Sequence, residues 1–246
     1  MGAMSCRVEF RGVSLRHGAR VVLDGLSLTV EPGGVAIFGG RSGSGKSSLL
    51  EICAGLQSPT GGSVLWDGEE ITGMSKYDLY SRRRSVGYVF QTHALISNHS
   101  VFDNIALPLR CGTDLSGEQV KRRVGALMDE LGISREIDRK FPESLSAAQI
   151  GSVAVARALI TGPKLLLLDE PFSGVDPVTA NTIINVLQGK WKKGGMSIIM
   201  ATHSLSAWPE WGAARYMLKG GRLEPAEVAF ANARGLRHLQ RYSHAQ

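Results

Sequence analysis

Gly40-Arg41-Ser42-Gly43-Ser44-Gly45-Lys46-Ser47 spells G-x-x-x-x-G-K-S, and its setting decides the fold. The run before it, Val35-Ala36-Ile37-Phe38, is apolar, and the run after it, Ser48-Leu49-Leu50-Glu51-Ile52-Cys53-Ala54, reads as a helix. A buried strand that turns through glycines into a helix aims several backbone N–H groups at one point, where the helix dipole also favours an anion. Lys46 is then placed to reach the β- and γ-phosphates of a nucleotide, and the Ser47 hydroxyl to ligate Mg²⁺. A chance glycine-rich turn does not bring strand, Lys-Ser pair and helix in that order. The stretch predicts nucleotide binding.

Outward from this loop, 8–30 alternates short apolar runs broken by Gly18, Gly25 and Pro32-Gly33-Gly34, the pattern of antiparallel strands and hairpins. Ser63-Val64-Leu65-Trp66 before Asp67-Gly68 adds a strand and tight turn. Ser85 to Phe90 reads as a strand ending at Gln91. The character then turns helical. Ser116 with Gln119 makes a capping box, followed by Val120, Val124, Leu127 and Leu131 at helical spacing and Gly132 as a helix stop. A second helix is predicted from Ser146 to about Leu159. Beyond it, Leu165-Leu166-Leu167-Leu168 and Ile198-Ile199-Met200 are apolar on both faces, which implies a parallel sheet covered on both sides.

Composition excludes more than it selects. The 246 residues are 43% hydrophobic and 20% charged, with a formal net charge of +6, ordinary for a globular chain. The cations are dispersed apart from Arg82-Arg83-Arg84 and 190–193, so the charge reads as solvated surface and not as a nucleic-acid site. Cys6, Cys53 and Cys111 have no C-x-x-C spacing, against a zinc site or a disulfide framework. No apolar run approaches the roughly 18 residues that span a bilayer. Any membrane role is therefore expected to run through a partner.

Asp169-Glu170 follows the four leucines, at the strand end where open parallel sheets bind ligands. Asp169 suits a direct or second-shell contact to Mg²⁺, and Glu170 suits polarising a water in line with the γ-phosphate. With these residues in place the chain resembles the ATP-binding-cassette (ABC) ATPases over nearly all of 5–222. Gln91 looks like the family's Q-loop glutamine, Leu145-Ser146-Ala147-Ala148-Gln149 stands in the place of its L-S-G-G-Q signature, Ser173-Gly174-Val175-Asp176 looks like the D-loop, and His203 looks like the switch histidine. His17 stands where the family usually has an aromatic that stacks on adenine.

The resemblance implies an α/β fold: a P-loop NTPase (RecA-like) core over 5–91 and 161–222, with an N-terminal antiparallel β subdomain and an inserted α-helical signature subdomain over 92–160. A C-terminal extension would cover 223–246. It also implies ATP and Mg²⁺ as ligands, with His17, Gly40, Ser42, Gly43, Gly45, Lys46, Ser47, Ser48 and Gln91 binding nucleotide. Ser47, Gln91 and Asp169 would serve the metal, and Lys46, Glu170 and His203 catalysis. Two subunits would pair head to tail, so Ser146, Ala148, Gln149 and Asp176 would meet the other subunit's nucleotide. Transmembrane permease subunits are the implied partners, at the cytoplasmic face of the inner membrane. A soluble role on DNA or ribosomes is the remote alternative, disfavoured by a single cassette without sustained heptads.

The chain departs from the pattern where both signature glycines are alanine and Ser152 replaces a usual arginine. The added methyls are expected to hinder closure and slow turnover, in a homodimer by preference over a heterodimer. Residues 91–110 and 74–84 are similar to the ATPases of MCE-type lipid transporters (maintenance of lipid asymmetry), so phospholipid or other lipid transport is the expected role. Lipoprotein release or amino-acid import is the alternative. Phe102 and Ile105 are expected to pack inside, with 95–99 lining a groove for a permease coupling helix. In the extension, Leu236, Leu239 and Tyr242 suit a short helix docking on the other subunit or a small regulatory partner.

Overall fold

The computed structural model describes residues 5–205, Trp208 and 211–226. Near the N-terminus β1 (Val8–His17) and β2 (Arg20–Val30) form the expected antiparallel hairpin, with His17 opposite Arg20. They join β4 (Gly61–Trp66) and the short β5 (Glu69–Glu70) in a sheet of order β2-β1-β4-β5, the last two strands linked by the predicted Asp67-Gly68 turn.

The second sheet holds β3 (Val35–Gly39), β6 (Val86–Val89), β7 (Leu165–Asp169), β8 (Ser197–Thr202), β9 (Ala214–Lys219) and β10 (Arg222–Pro225), in the order β10-β9-β3-β8-β7-β6. Five strands run parallel and β10 closes the edge antiparallel. The continuous apolar runs explain the parallel part. In β7, Leu165 and Leu167 enter the core shared with the antiparallel sheet, while Leu166 and Leu168 enter the core under the helices, all four fully buried. Burial of this size is worth roughly 1.5–3 kcal/mol per leucine before chain entropy is counted.

Helix α1 (Lys46–Cys53) follows β3 directly, and α2 (Lys76–Arg83) precedes β6. Between β6 and β7 come α3 (Val101–Gly112), α4 (Gly117–Glu130) and α5 (Ala147–Leu159), with two short 3-10 turns ahead of α5; α6 (Pro177–Gly194) joins β7 to β8. The Ser116–Gln119 box caps α4 as expected. Helix α5 packs on both α3 and β6. Its approach to β6 is so close that a Cβ on Gly87 would lie 2.3 Å from the Ala158 carbonyl oxygen, so that position admits only glycine.

One boundary differs from expectation. Residues 223–225 are not the start of a polar tail but belong to β10, whose backbone groups pair with β9, Leu223 opposite Leu218. The helix expected around Leu236, Leu239 and Tyr242 lies outside the described residues. Among the described residues, no helix is long and apolar enough to cross a membrane.

Candidate functional site

The C-terminal ends of β3, β7 and β8 meet at a cavity of about 240 Å³. The glycine loop forms its floor. Gly45 has φ 102°, and a Cβ there would lie 2.9 Å from Val22 Cγ1; one on Gly40 would lie 2.7 Å from Ser44 Oγ. The loop is thus drawn tight against β2, and its N–H groups lead into α1, whose N-terminus carries no side-chain cap. An uncapped helix start behind a glycine cradle is a ready anion site.

Lys46 is buried, and its Nζ donates to the carbonyls of Gly40 (2.9 Å) and Arg41 (3.2 Å). It also lies 3.7 Å from Glu170 Oε1. Glu170 leaves β7 with φ 47°, an uncommon conformation for a residue with a side chain, costing of order 1–3 kcal/mol. Its surroundings hold it there. The Glu170 N–H donates to Ala201 O at 2.9 Å, and the His203 N–H donates to Glu170 Oε2 at 3.1 Å. Glu170 Oε1 lies 3.1 Å from His203 Nε2, while His203 Nδ1 lies 3.2 Å from Gly40 O. Carboxylate, imidazole and ammonium therefore share one end of the cavity.

Asp169 is buried beside them, hydrogen-bonded to Ser47, with its Oδ1 unpartnered. Burial raises its carboxyl above the usual range, only partly opposed by the Ser47 hydrogen bond; Glu170 adds to the rise. A hydroxyl and one carboxylate with a free oxygen fit Mg²⁺ held jointly with substrate phosphates, and no cluster of three or more His, Cys, Asp or Glu forms a protein-only cage among the described residues.

His17 and Gln91, both exposed, complete the wall, together with Ser42, Gly43 and Ser48. Gly40 contributes its carbonyl and not a lining surface. Two lining residues were not anticipated, Arg20 and Val22. Arg20 lies directly across the hairpin from His17, and Val22 two residues further along β2.

Ser146, Ala148, Gln149 and Asp176 do not reach this cavity. Ser146 and Gln149 form a capping box on α5: Ser146 Oγ accepts from the Gln149 N–H (3.2 Å) and Gln149 Oε1 accepts from the Ser146 N–H (2.9 Å). Asp176 caps α6, accepting from the N–H groups of Val178 and Thr179 and from the Thr179 hydroxyl, which holds its carboxyl below the usual range. Ala147 is exposed, and a Cβ on Gly174 would lie 3.4 Å from its methyl. Ala148 and Gln149 border a separate cavity of about 310 Å³, with Ser152, Thr179 and Thr182.

A larger, mainly apolar groove of about 750 Å³ opens between α2, β6, α3 and α5, bounded by Tyr80, Phe90, Ala94, Ile96, Leu107 and Arg157 among others. Ile105 is buried and Phe102 packs half-buried on the helical core, as expected. The expectation for 95–99 holds only in part. Leu95 packs inward on that core, and of the five residues only Ile96 borders the groove. The reason is Asn104, fully buried on α3. Its Oδ1 accepts from the Ile96 N–H, and its Nδ2 donates to the carbonyls of Ile96, His99 and Ser100. Upstream, His93 and Ala94 both adopt positive φ (59° and 46°), and Arg157 of α5 donates to both their carbonyls at 2.8 and 2.7 Å.

The family described as ABC transporter matches residues 23–173. The methionine import ATP-binding protein MetN of Cereibacter sphaeroides is 38% identical over 89% of the chain, which spans 62% of that protein's length. The cell division ATP-binding protein FtsE of Escherichia coli K12 is 33% identical over 81% of the chain and 89% of its own length. Among solved structures, dimeric MJ0796, described as a bacterial ABC transporter cassette, superposes with a TM-score of 0.83 at 28% identity, covering 88% of the chain and 96% of its own. A post-hydrolysis state of the same cassette, bound to ADP and Pi, gives 0.82.

Proposed function

The chain belongs to the ABC transporter family of ATP-binding domains, and from that premise we propose that it binds and hydrolyses ATP to drive a membrane transporter. One observation carries the reading: Lys46, Glu170 and His203 converge within 3.7 Å contacts in a glycine-floored cavity. The loop N–H groups hold the phosphates, and Lys46 exchanges its carbonyl partners for phosphate oxygens. Glu170 orients the attacking water, with its carboxylate fixed by the His203 backbone N–H, and the His203 ring faces the developing charge. Bound at Ser47 and Asp169, with Gln91 nearby, Mg²⁺ would neutralise phosphate charge.

A second subunit would complete the cavity. Ser146, Ala148, Gln149 and Asp176, remote from the chain's own cavity, fit a role toward the partner's nucleotide through the N-terminus of α5. A homodimer is the preferred assembly, supported by the dimeric relative. The groove between α2 and α5 suits an apolar coupling helix of a permease, which would hold the chain peripherally at the cytoplasmic face of the inner membrane. For the cargo, the methionine-import relatives favour the amino-acid import alternative over lipid transport; the lipid reading rests on 74–84 and 91–110 alone.

Steady-state hydrolysis of Mg-ATP by wild type, Lys46→Ala and Glu170→Gln tests the proposal. Both variants are expected to lose turnover by at least about a hundredfold, Glu170→Gln while still binding nucleotide. Wild-type turnover in Glu170→Gln would refute the assigned chemistry. With the permease present, stimulation by amino acid or by phospholipid separates the two cargo readings.

A further inference from the structure

Among the charged side chains lining the cavity, Arg20 has no place in the chemistry above. It starts β2 opposite His17, is exposed, and its guanidinium borders the cavity beside the loop. One of its terminal N–H groups donates to the Gly43 carbonyl at 3.2 Å, and among the described residues no other partner engages it. An arginine carries five N–H donors in a rigid fork. Most of Arg20's have neither a carbonyl nor a carboxylate as partner among the described residues.

The parallel with Lys46 is close. Both cations rest on carbonyl oxygens of the same glycine loop, Lys46 from beneath on Gly40 and Arg41, Arg20 from the mouth on Gly43. A neutral carbonyl is a weaker partner for a guanidinium than an anionic oxygen, because only the anion adds charge–charge attraction and can take two parallel N–H groups. Exchange of that carbonyl for a phosphate oxygen is therefore favourable, and the fork suits bidentate contact. We infer that Arg20 is a second polyphosphate-binding cation of this cavity, closing over the phosphates from the β2 side. The inference rests on the nucleotide reading of the cavity.

Binding of Mg-ATP and of inorganic tripolyphosphate, measured calorimetrically for wild type, Arg20→Gln, Arg20→Lys and Arg16→Gln, tests it. Glutamine retains an amide donor for the Gly43 carbonyl but no charge. Arg16, exposed on the neighbouring strand and outside the cavity, controls for loss of net charge. Arg20→Gln is expected to raise Kd about tenfold for both ligands, with a shallower salt dependence. Arg20→Lys should recover part of the loss, and Arg16→Gln should stay near wild type. In turnover, Arg20→Gln should raise KM for ATP and leave kcat within about twofold, the pattern of binding shared by ground and transition states. Tripolyphosphate affinity in Arg20→Gln equal to that in Arg16→Gln overturns the inference, as does a loss confined to ATP, which would assign Arg20 to the base. Wild type that binds neither ligand overturns the nucleotide reading as well.

Discussion

Asn104 offers the sharpest quantitative test, because one buried side chain shapes the wall of the groove. Replacing it with leucine keeps the branched four-atom shape, with bulkier methyl ends, and removes every polar bond. The Ile96 N–H loses its acceptor, and the carbonyls of Ile96, His99 and Ser100 lose two N–H groups shared among them. Three donor hydrogens are thus involved, each worth about 1 kcal/mol net. Stranded backbone groups cost more where buried and less where water reaches them, and these bonds are only partly buried. A loss of about 3 kcal/mol follows. At a chain length of 246 residues this lowers Tm by about 6–12 °C. Thermal unfolding by circular dichroism measures it, with ATP affinity and permease co-purification read on the same preparation. Co-purification should weaken while affinity for ATP stays near wild type. A Tm drop of under about 3 °C would show that Asn104 does not hold the 96–100 turn.

Other outcomes follow from the cavity. Because burial raises the Asp169 carboxyl, the folded chain holds that proton more tightly than the unfolded chain does. The stability contributed by the group is complete below its ordinary value of 3.8 and is lost as pH rises through the raised one. Asp169→Asn should therefore have a higher Tm than wild type at pH 7 in EDTA, the gap closing toward pH 4; an equal Tm at pH 7 contradicts this. Gly45→Ala places a methyl at φ 102° and 2.9 Å from Val22 Cγ1, costing about 1–3 kcal/mol, and should weaken ATP binding at least tenfold by equilibrium titration. Ala147→Gly with Ala148→Gly removes two helix-favouring methyls, so the isolated chain should lose up to about 2 kcal/mol in urea unfolding. The assembled complex should turn over faster, and unchanged turnover there rules out a steric brake.

The glycine loop, the two apolar strand runs and the helix caps were legible because each is local chemistry: glycine where a turn needs it, β-sheet residues buried on both faces, Ser and Gln three apart. The place of Asp169 and Glu170 was legible from the apolar strand that ends in them, whereas the convergence of Gln91 and His203 on the same site was legible only through resemblance, since no periodicity relates residues this far apart. Arg20 and Asn104 escaped both routes. Each is a polar residue whose meaning depends on what the fold sets opposite it, a glycine loop across a hairpin and a turn eight residues upstream. The inward face of Leu95 escaped for the same reason, because only Asn104 decides which way the segment turns. The edge strand at 222–225 was hidden by its composition, two charged residues, a leucine and a proline, which reads as tail until β9 is present to pair with it.

Arg157 binds two places into one thermodynamic account. Its guanidinium forms part of the groove wall and at the same time grips the two left-handed residues, His93 and Ala94, that follow Gln91. A left-handed pair without glycine does not persist unaided, so the geometry downstream of Gln91 is on loan from α5. An occupant of the groove that displaces this side chain removes both of those hydrogen bonds. Whatever that costs in ligand affinity at Gln91 returns, by linkage, as an equal effect of that ligand on the groove. Reciprocity of that kind needs no long relay through the sheet. It is confined to one side chain and two carbonyl groups.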